Sequence, residues 1–340
     1  MNSLKYFNIF NRRYTGSKLK LIPWIHEVIA DNCKNTSSFT DIFAGTGSVS
    51  HSILGLFKEI IINDFLFSNE VIYKGFFEQS SWSEDAVREF IQGFSKVDAS
   101  ALKDNYFSKN YGTKYFSNND AKLIGHIRDR LEIQKNSFSE KEFNIILSSL
   151  VYSVDKAANT VGHYDAYRIR PDIKDRFVFH QILPLKLNNT IKIYREDANE
   201  IIRSLETDVL YVDPPYNSRQ YSRFYHLLEN LVQWKKPQLH GVAMKPDPEN
   251  MSDYCKVSAF EAFQDLINNA DAKTIIVSYN NTYQSKSSSS KNKISHDQIL
   301  TALRERGPIK EFSKKHTHFN AGKTDFSDHK EYLFITQVKN

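Results

Sequence analysis

Asp213, Pro214, Pro215 and Tyr216 put an acid, two rigid residues and an aromatic ring into one tetrapeptide. They follow the apolar run Val209–Val212, which reads as a buried strand. An acid, a stiff turn and a ring at a strand's carboxyl end suit one task, holding a flat base that carries an amino group. Such an amine is a poor nucleophile because its lone pair is delocalised into the ring. If Asp213 accepts one N–H and the Pro214 carbonyl the other, the amine becomes pyramidal and the lone pair localises. Pro215 fixes its own φ and restricts its predecessor, and Tyr216 is available to stack on the base. At about 5% usage per residue type, such a tetrapeptide arises by chance in roughly 2 of 1000 chains of this length. That rarity favours a site over an incidental turn.

A second signal lies upstream, in Phe39-Thr40-Asp41-Ile42-Phe43-Ala44-Gly45-Thr46-Gly47. Gly45 and Gly47 follow a predicted strand and open a predicted helix. Glycine admits a ligand close to the backbone and takes conformations other residues avoid. Ser50 breaks the GxGxxG pattern of dinucleotide enzymes, and no Gly-Lys-Ser/Thr follows to make a Walker loop. Asn63-Asp64 ends the next strand, where a carboxylate can accept two ribose hydroxyls, although Asp64 also suits a cap or turn. Asp197 follows a later strand. It could accept an adenine amino group or simply cap the helix Ala198–Arg203. All these acids fall at carboxyl ends of predicted parallel strands, where ligand crevices of open α/β sheets form.

The elements that must position these residues read as follows. A helix is predicted over 18–33, with Pro23 in its first turn or kinking it. Phe39–Phe43 is a strand, Ser48–Phe57 a helix and Glu59–Asn63 a β-branched strand, so the start is a βαβ unit with a parallel sheet. From 70 to 185 the chain turns helical, aromatic and charged. Ser139 and Glu142 mark a capping box, followed by Phe143, Ile146, Leu147, Leu150 and Val154 as an apolar stripe. Strands resume at Thr190–Tyr194, 208–212, 274–279, 308–317 and 331–337. The sheet-forming sequence is therefore split into 1–69 and 186–340, a catalytic domain, around an inserted helical subdomain, 70–185. Ser285–Lys293 reads as a surface loop.

At 340 residues, 40% hydrophobic and 25% charged, the chain has the length and balance of an α/β core plus a smaller unit. A net charge of +5 permits a nucleic-acid partner without requiring one. Cys33 and Cys255 offer neither a disulfide framework nor a metal spacing, and no HExxH is present, so no metal is expected. No apolar run reaches the ~18 residues of a membrane span. The start, Met1–Phe7, lacks a signal peptide's apolar core, so a cytoplasmic location is expected.

These motifs together resemble the D12 class of DNA adenine-N6 methyltransferases, which depend on S-adenosylmethionine. Asp41–Gly47 is similar to the family's glycine motif, Asn63-Asp64 to its acidic strand end, and Asp213–Tyr216 to its catalytic motif. Tyr14-Thr15-Gly16-Ser17-Lys18 is similar to its N-terminal motif. The resemblance implies an α/β, Rossmann-like methyltransferase sheet. It would be seven-stranded and mostly parallel, its last strand, Lys330–Gln337, antiparallel and inserted near the edge. It implies S-adenosylmethionine held by Tyr14, Lys18, Asp41, Phe43, Ala44, Gly45, Thr46, Gly47, Asp64, Asp197 and Asp213, with Asp213, Pro214, Pro215 and Tyr216 catalytic. By the family's arrangement, 70–185 reads DNA. The segment 218–226 resembles the stretch after the catalytic motif in methylases of restriction–modification systems, so double-stranded DNA and a cognate restriction endonuclease are implied partners.

The target atom is unreachable inside a duplex, so the base must be flipped out. Arg219 and Arg223 are candidates for gripping phosphates, and Arg168 and Arg170, in a cluster with Lys174 and Arg176, for contacting DNA. Each also suits a solvated surface. Alternatives are a cytosine-N4 enzyme, which usually carries serine in place of Asp213, an RNA base methyltransferase, and a non-catalytic DNA-binding module.

Overall fold

The computed structural model describes residues 10, 12–170, 172–281, 292–315 and 329–339. Ser285–Lys291 of the expected loop, His316 and Met1–Phe7 lie outside the described residues.

Seven strands form one sheet: β1 Ser38–Asp41, β2 Glu59–Asn63, β3 Thr190–Tyr194, β4 Glu206–Val212, β5 Asp271–Asn280, β6 Ile309–Lys315 and β7 Lys330–Gln337. Their order is β3-β2-β1-β4-β5-β7-β6. β1 to β5 pair in parallel, and β7 runs antiparallel between β5 and β6. The β-branched and apolar runs predicted as strands do form them, because a strand covered on both faces needs apolar residues at successive positions. The sheet's outer strands are exposed: every residue of β3 and β6 keeps some access to solvent. Charged side chains such as Lys310, Lys314 and Lys315 there discourage pairing with another chain.

On one face, Ile42, Leu210, Val212, Ile275 and Val277 are buried with Phe263, Leu266 and Ile267 of the helix Ala259–Asn269 and with Ile299 and Leu303 of the helix His296–Arg306. The latter helix starts on a reciprocal cap, Ser295 with Gln298. The predicted 18–33 helix is a short 3-10 turn, Leu19–Leu21, then an α-helix, Ile22–Asn32, with Pro23 in its first turn. The helix expected over Ser48–Phe57 stops at Ser52, where Ser52 Oγ donates to the Val49 carbonyl and the chain leaves through turns. The first strand ends at Asp41 rather than Phe43, because the chain turns there into the glycine loop.

All seven strands lie in one compact unit, Lys18–Phe65, Asn188–Tyr221 and Asn250–Asn340. The second unit comprises Met1–Ser17, Leu66–Leu187 and Ser222–Glu249. Its longest helix, Glu140–Ala157, carries the predicted Ser139/Glu142 capping box. The helix is buried almost all round rather than along one stripe, since Ile145, Val151 and Tyr152 are as inaccessible as Ile146 and Leu150. It packs closely on the helix Phe67–Phe76. A Cβ on Gly75 would come within 2.5 Å of Ser148 Oγ, so only glycine fits there.

Residues 222–249, which the sequence pattern assigns to the sheet domain, are tied into this second unit by polar contacts. Glu229 accepts the Phe67 and Ser68 N–H groups at 3.0 and 2.9 Å, capping a helix that has no side-chain N-cap. The buried Arg128 donates to the Leu231 and Val232 carbonyls at 2.9 and 3.2 Å, at the end of the helix His226–Gln233.

Candidate active site

The sheet winds one way from β1 through β2 to β3 and the other way from β4 to β5. β1 and β4 are neighbours, so the winding reverses between them, and a crevice opens there beyond the carboxyl ends. Asp41 pairs in register with Tyr211, two residues before Asp213. The glycine loop and Asp-Pro-Pro-Tyr therefore leave adjacent strands at the switch point.

The loop is held from below. Ile42 N–H donates to the Tyr211 carbonyl at 3.2 Å and Ala44 N–H to the Asn63 carbonyl at 2.9 Å. Gly45 and Gly47 have φ of 55° and 72°, which a β-carbon disfavours. Asp64 Oδ2 accepts the Gly45 N–H at 2.9 Å, so the acid after β2 clamps the loop after β1. Thr46 Oγ1 donates to Ser48 Oγ at 3.1 Å, and Phe43 packs edge-on against Tyr254, 5.0 Å between centroids. Ser50, whose presence breaks the dinucleotide pattern, donates to Asp41 Oδ2 at 2.7 Å. Burial lifts the Asp41 carboxyl to about 7, Ser50 opposing and Asp213 and Asp64 adding to the rise. Its other oxygen, Oδ1, is buried with no hydrogen-bond partner among the described residues. Asp197, after β3, accepts the Asn199 N–H at 2.9 Å as a helix cap.

Lys18 binds Asp213. Its ammonium lies 3.0 Å from Asp213 Oδ1 and 2.9 Å from Glu331 Oε1. Burial pushes the Asp213 carboxyl up to about 6, with Lys18 pulling it down and Glu331 pushing it further up. Burial works against the Lys18 charge, but the two carboxylates outweigh it and hold the ammonium above the usual lysine range. Tyr216 is buried, its ring perpendicular to Tyr279 at 5.0 Å and its hydroxyl donating to the Ser278 carbonyl at 2.5 Å.

Lys18, Asp41, the 43–47 loop, Asp64, Asp197 and Asp213–Tyr216 thus all sit in the sheet unit. Arg219 is there too, its N–H donating to Asn217 Oδ1 at 3.0 Å. The second unit holds Tyr14, stacked on Tyr225 at 4.9 Å. It also holds Arg223, which donates to the Pro246 carbonyl at 2.5 Å, and the exposed Arg168 and Arg170. Three residues escaped the sequence pattern. Asn63, seen only as part of a motif, donates to the Ile42 and Glu196 carbonyls at 3.1 and 3.2 Å. Its Oδ1 accepts the Glu196 N–H at 3.0 Å. Glu331 and Ser278, on β7 and β5, lie far from every motif in sequence, and no local signal marks them.

A glycine loop after β1 and Asp-Pro-Pro-Tyr after β4, on a doubly wound sheet with β7 antiparallel, define a Rossmann-like methyltransferase domain. Residues 14–294 match the family model of the D12 class N6 adenine-specific DNA methyltransferases, and the chain belongs to that family. It is 30% identical over 335 residues to the type II methyltransferase M.CviAII of Paramecium bursaria Chlorella virus 1, covering 96% of this chain and 98% of that one. It is 30% identical to the type II methyltransferase M.FokI of Planomicrobium okeanokoites, with 96% of this chain matching 52% of the relative. To the type II methyltransferase M.NlaIII of Neisseria lactamica it is 28% identical, over 95% of this chain and 98% of that one. The protein is thus a DNA adenine-N6 methyltransferase using a methyl donor. No helix among the described residues is long and apolar enough to cross a membrane.

Proposed function

We propose that this methyltransferase uses S-adenosylmethionine and acts on one DNA sequence as the modification enzyme of a type II restriction system, beside an endonuclease of the same specificity. The observation that carries the catalytic reading is the Asp213 carboxylate, held through one oxygen by Lys18 at the switch point. Glycine-loop residues 43–47 would hold the donor together with Asp41, Asp64 and Asp197, and Tyr14 and Lys18 belong to the same set by family resemblance. The buried, unpartnered Asp41 Oδ1 fits such a ligand, since orphaned acceptors are costly without one.

S-adenosylmethionine, when bound, supplies a methyl group made electrophilic by its sulfonium sulfur. Asp213 and the Pro214 carbonyl accept hydrogen bonds from the two amino N–H groups of a flipped adenine and localise the nitrogen lone pair. Pro214 and Pro215 keep the acceptor geometry stiff, and Tyr216 supports the base. As nitrogen gains positive charge, the carboxylate stabilises it, and catalysis is positioning and electrostatics without a covalent enzyme intermediate. Arg219 and Arg223 grip the backbone of the DNA, residues 70–185 read its sequence, and Arg168 and Arg170 contact it. The type II setting is supported by the likeness to type II methyltransferases.

Methyl transfer from labelled S-adenosylmethionine to unmethylated duplex DNA, with product nucleosides separated, tests this. N6-methyladenine at one recurring sequence is expected. Label at scattered adenines would sink the site-specific reading, and absence of label with an intact protein would sink the choice of donor.

A further inference from the structure

We infer that Glu331 is a positioning residue for methyl transfer: it shares the Lys18 ammonium with Asp213 and so fixes which Asp213 oxygen meets the adenine amine. This rests on the proposed role of Asp213.

Three separate elements meet here. Lys18 precedes the 3-10 turn Leu19–Leu21, Asp213 follows β4, and Glu331 is the second residue of β7. Because β7 runs antiparallel, its beginning lies level with the ends of the parallel strands, and Glu331 pairs with Asn280, the last residue of β5. The register is pinned there, with Lys330 N–H donating to Asn281 Oδ1 at 2.7 Å. Ser278 Oγ donates to Glu331 Oε1 at 2.8 Å, the same oxygen that faces Lys18 at 2.9 Å. The side chains of Lys18 and Glu331 are only 7% and 4% exposed. Burying an acid between strands is unfavourable unless it is paired and hydrogen-bonded, so a sheet that only had to pack would carry an apolar residue there.

The arrangement serves the reaction in two ways. A lysine ammonium on a flexible stem has no fixed direction of its own. Glu331 anchors it, so Lys18 takes Asp213 Oδ1 and leaves the amine to Oδ2. Glu331 also draws part of the lysine's charge away, so Asp213 remains a strong acceptor instead of being consumed by a closed pair. The other titratable groups facing this pair are Asp41 from β1, the phenols of Tyr211 and Tyr216 from the β4 region, and His329 before β7.

Glu331→Gln and Ser278→Ala test the inference through pH profiles of kcat/KM. Glu331→Gln gives Lys18 wholly to Asp213, and the acidic limb is expected to move to lower pH by about half a unit to one unit. With a weaker acceptor, kcat should fall about tenfold while the donor's Kd stays the same. Ser278→Ala removes the bond that tempers Glu331, so Glu331 binds Lys18 more strongly and the limb moves to higher pH. Opposite displacements are the signature, since a merely structural loss would lower activity in both variants without moving the limb. Limbs that stay in place, or move together, overturn the inference. Thermal melting identifies a variant that fails to fold, and if Glu331→Gln does so, the direction seen for Ser278→Ala decides alone. A wild-type protein inactive on DNA adenine, or an active Asp213→Ala variant, would instead overturn the reading of Asp213.

Discussion

Two carboxylates at the ends of parallel strands, Asp64 after β2 and Asp213 after β4, stand in different surroundings. Asp213 faces Lys18 and is the proposed acceptor for the amine, whereas Asp64 holds the Gly45 N–H. Asp213→Ala is expected to lower kcat at least a few hundredfold, roughly the loss seen when a charge-stabilising group is removed, with donor affinity retained. Asp64→Ala is expected to raise the donor's Kd with a smaller change in kcat, because the loop loses its clamp. Equilibrium binding of the donor beside single-turnover methylation separates the two effects, and equal losses in both variants would contradict the division of roles. The Asp213 carboxyl sits near 6, so activity should fall as pH drops below about 6, where the protonated acid has lost its acceptor.

Beyond their pairing along the sheet, elements are also coupled at their ends by buried polar side chains. Asn63 joins the loop after β1 to the segment after β3 through the Ile42 carbonyl and the Glu196 backbone. It is 1% exposed, so Asn63→Ala would leave buried backbone groups unpaired. A loss of about 2–3 kcal/mol in urea unfolding is expected, together with weaker donor binding. Unchanged stability would mean that the neighbouring backbone finds other partners. The short helix after the glycine loop fits the same pattern. Its Ser50 donates to Asp41 Oδ2, tying the helix after the loop to the end of β1.

The whole molecule combines a sheet unit with a helical unit built from three separate stretches of chain. If Arg168 and Arg170 meet DNA phosphates, each replacement by alanine should weaken binding to all sequences alike. Each should also flatten the plot of log K against log salt by about 0.9. A loss confined to one sequence would assign them to base reading, and an unchanged slope would remove them from the interface. Residues 222–249 follow the catalytic motif in sequence but fold with the helical unit, through Glu229 and the carbonyls that accept Arg128. A chain cut after Tyr221 therefore separates that unit from one of its own parts.

The sequence by itself determined the strands, the glycine loop and the acid after β4. Each depends on a local signal: β-branched runs, glycines at positive φ, prolines that stiffen a turn. Buried strands must be apolar over most of their length whatever their neighbours, so their residues announce them. Only the tertiary structure decided which distant side chains complete the site. Glu331 reaches Lys18, and Ser278 reaches Glu331, because strand order and the reversed direction of β7 bring Ser278 and Glu331 together. The same holds for Asn63, whose partners come from loops after β1 and β3. A single buried acid or amide has no period and no motif, and its meaning arises from whatever the fold sets opposite it.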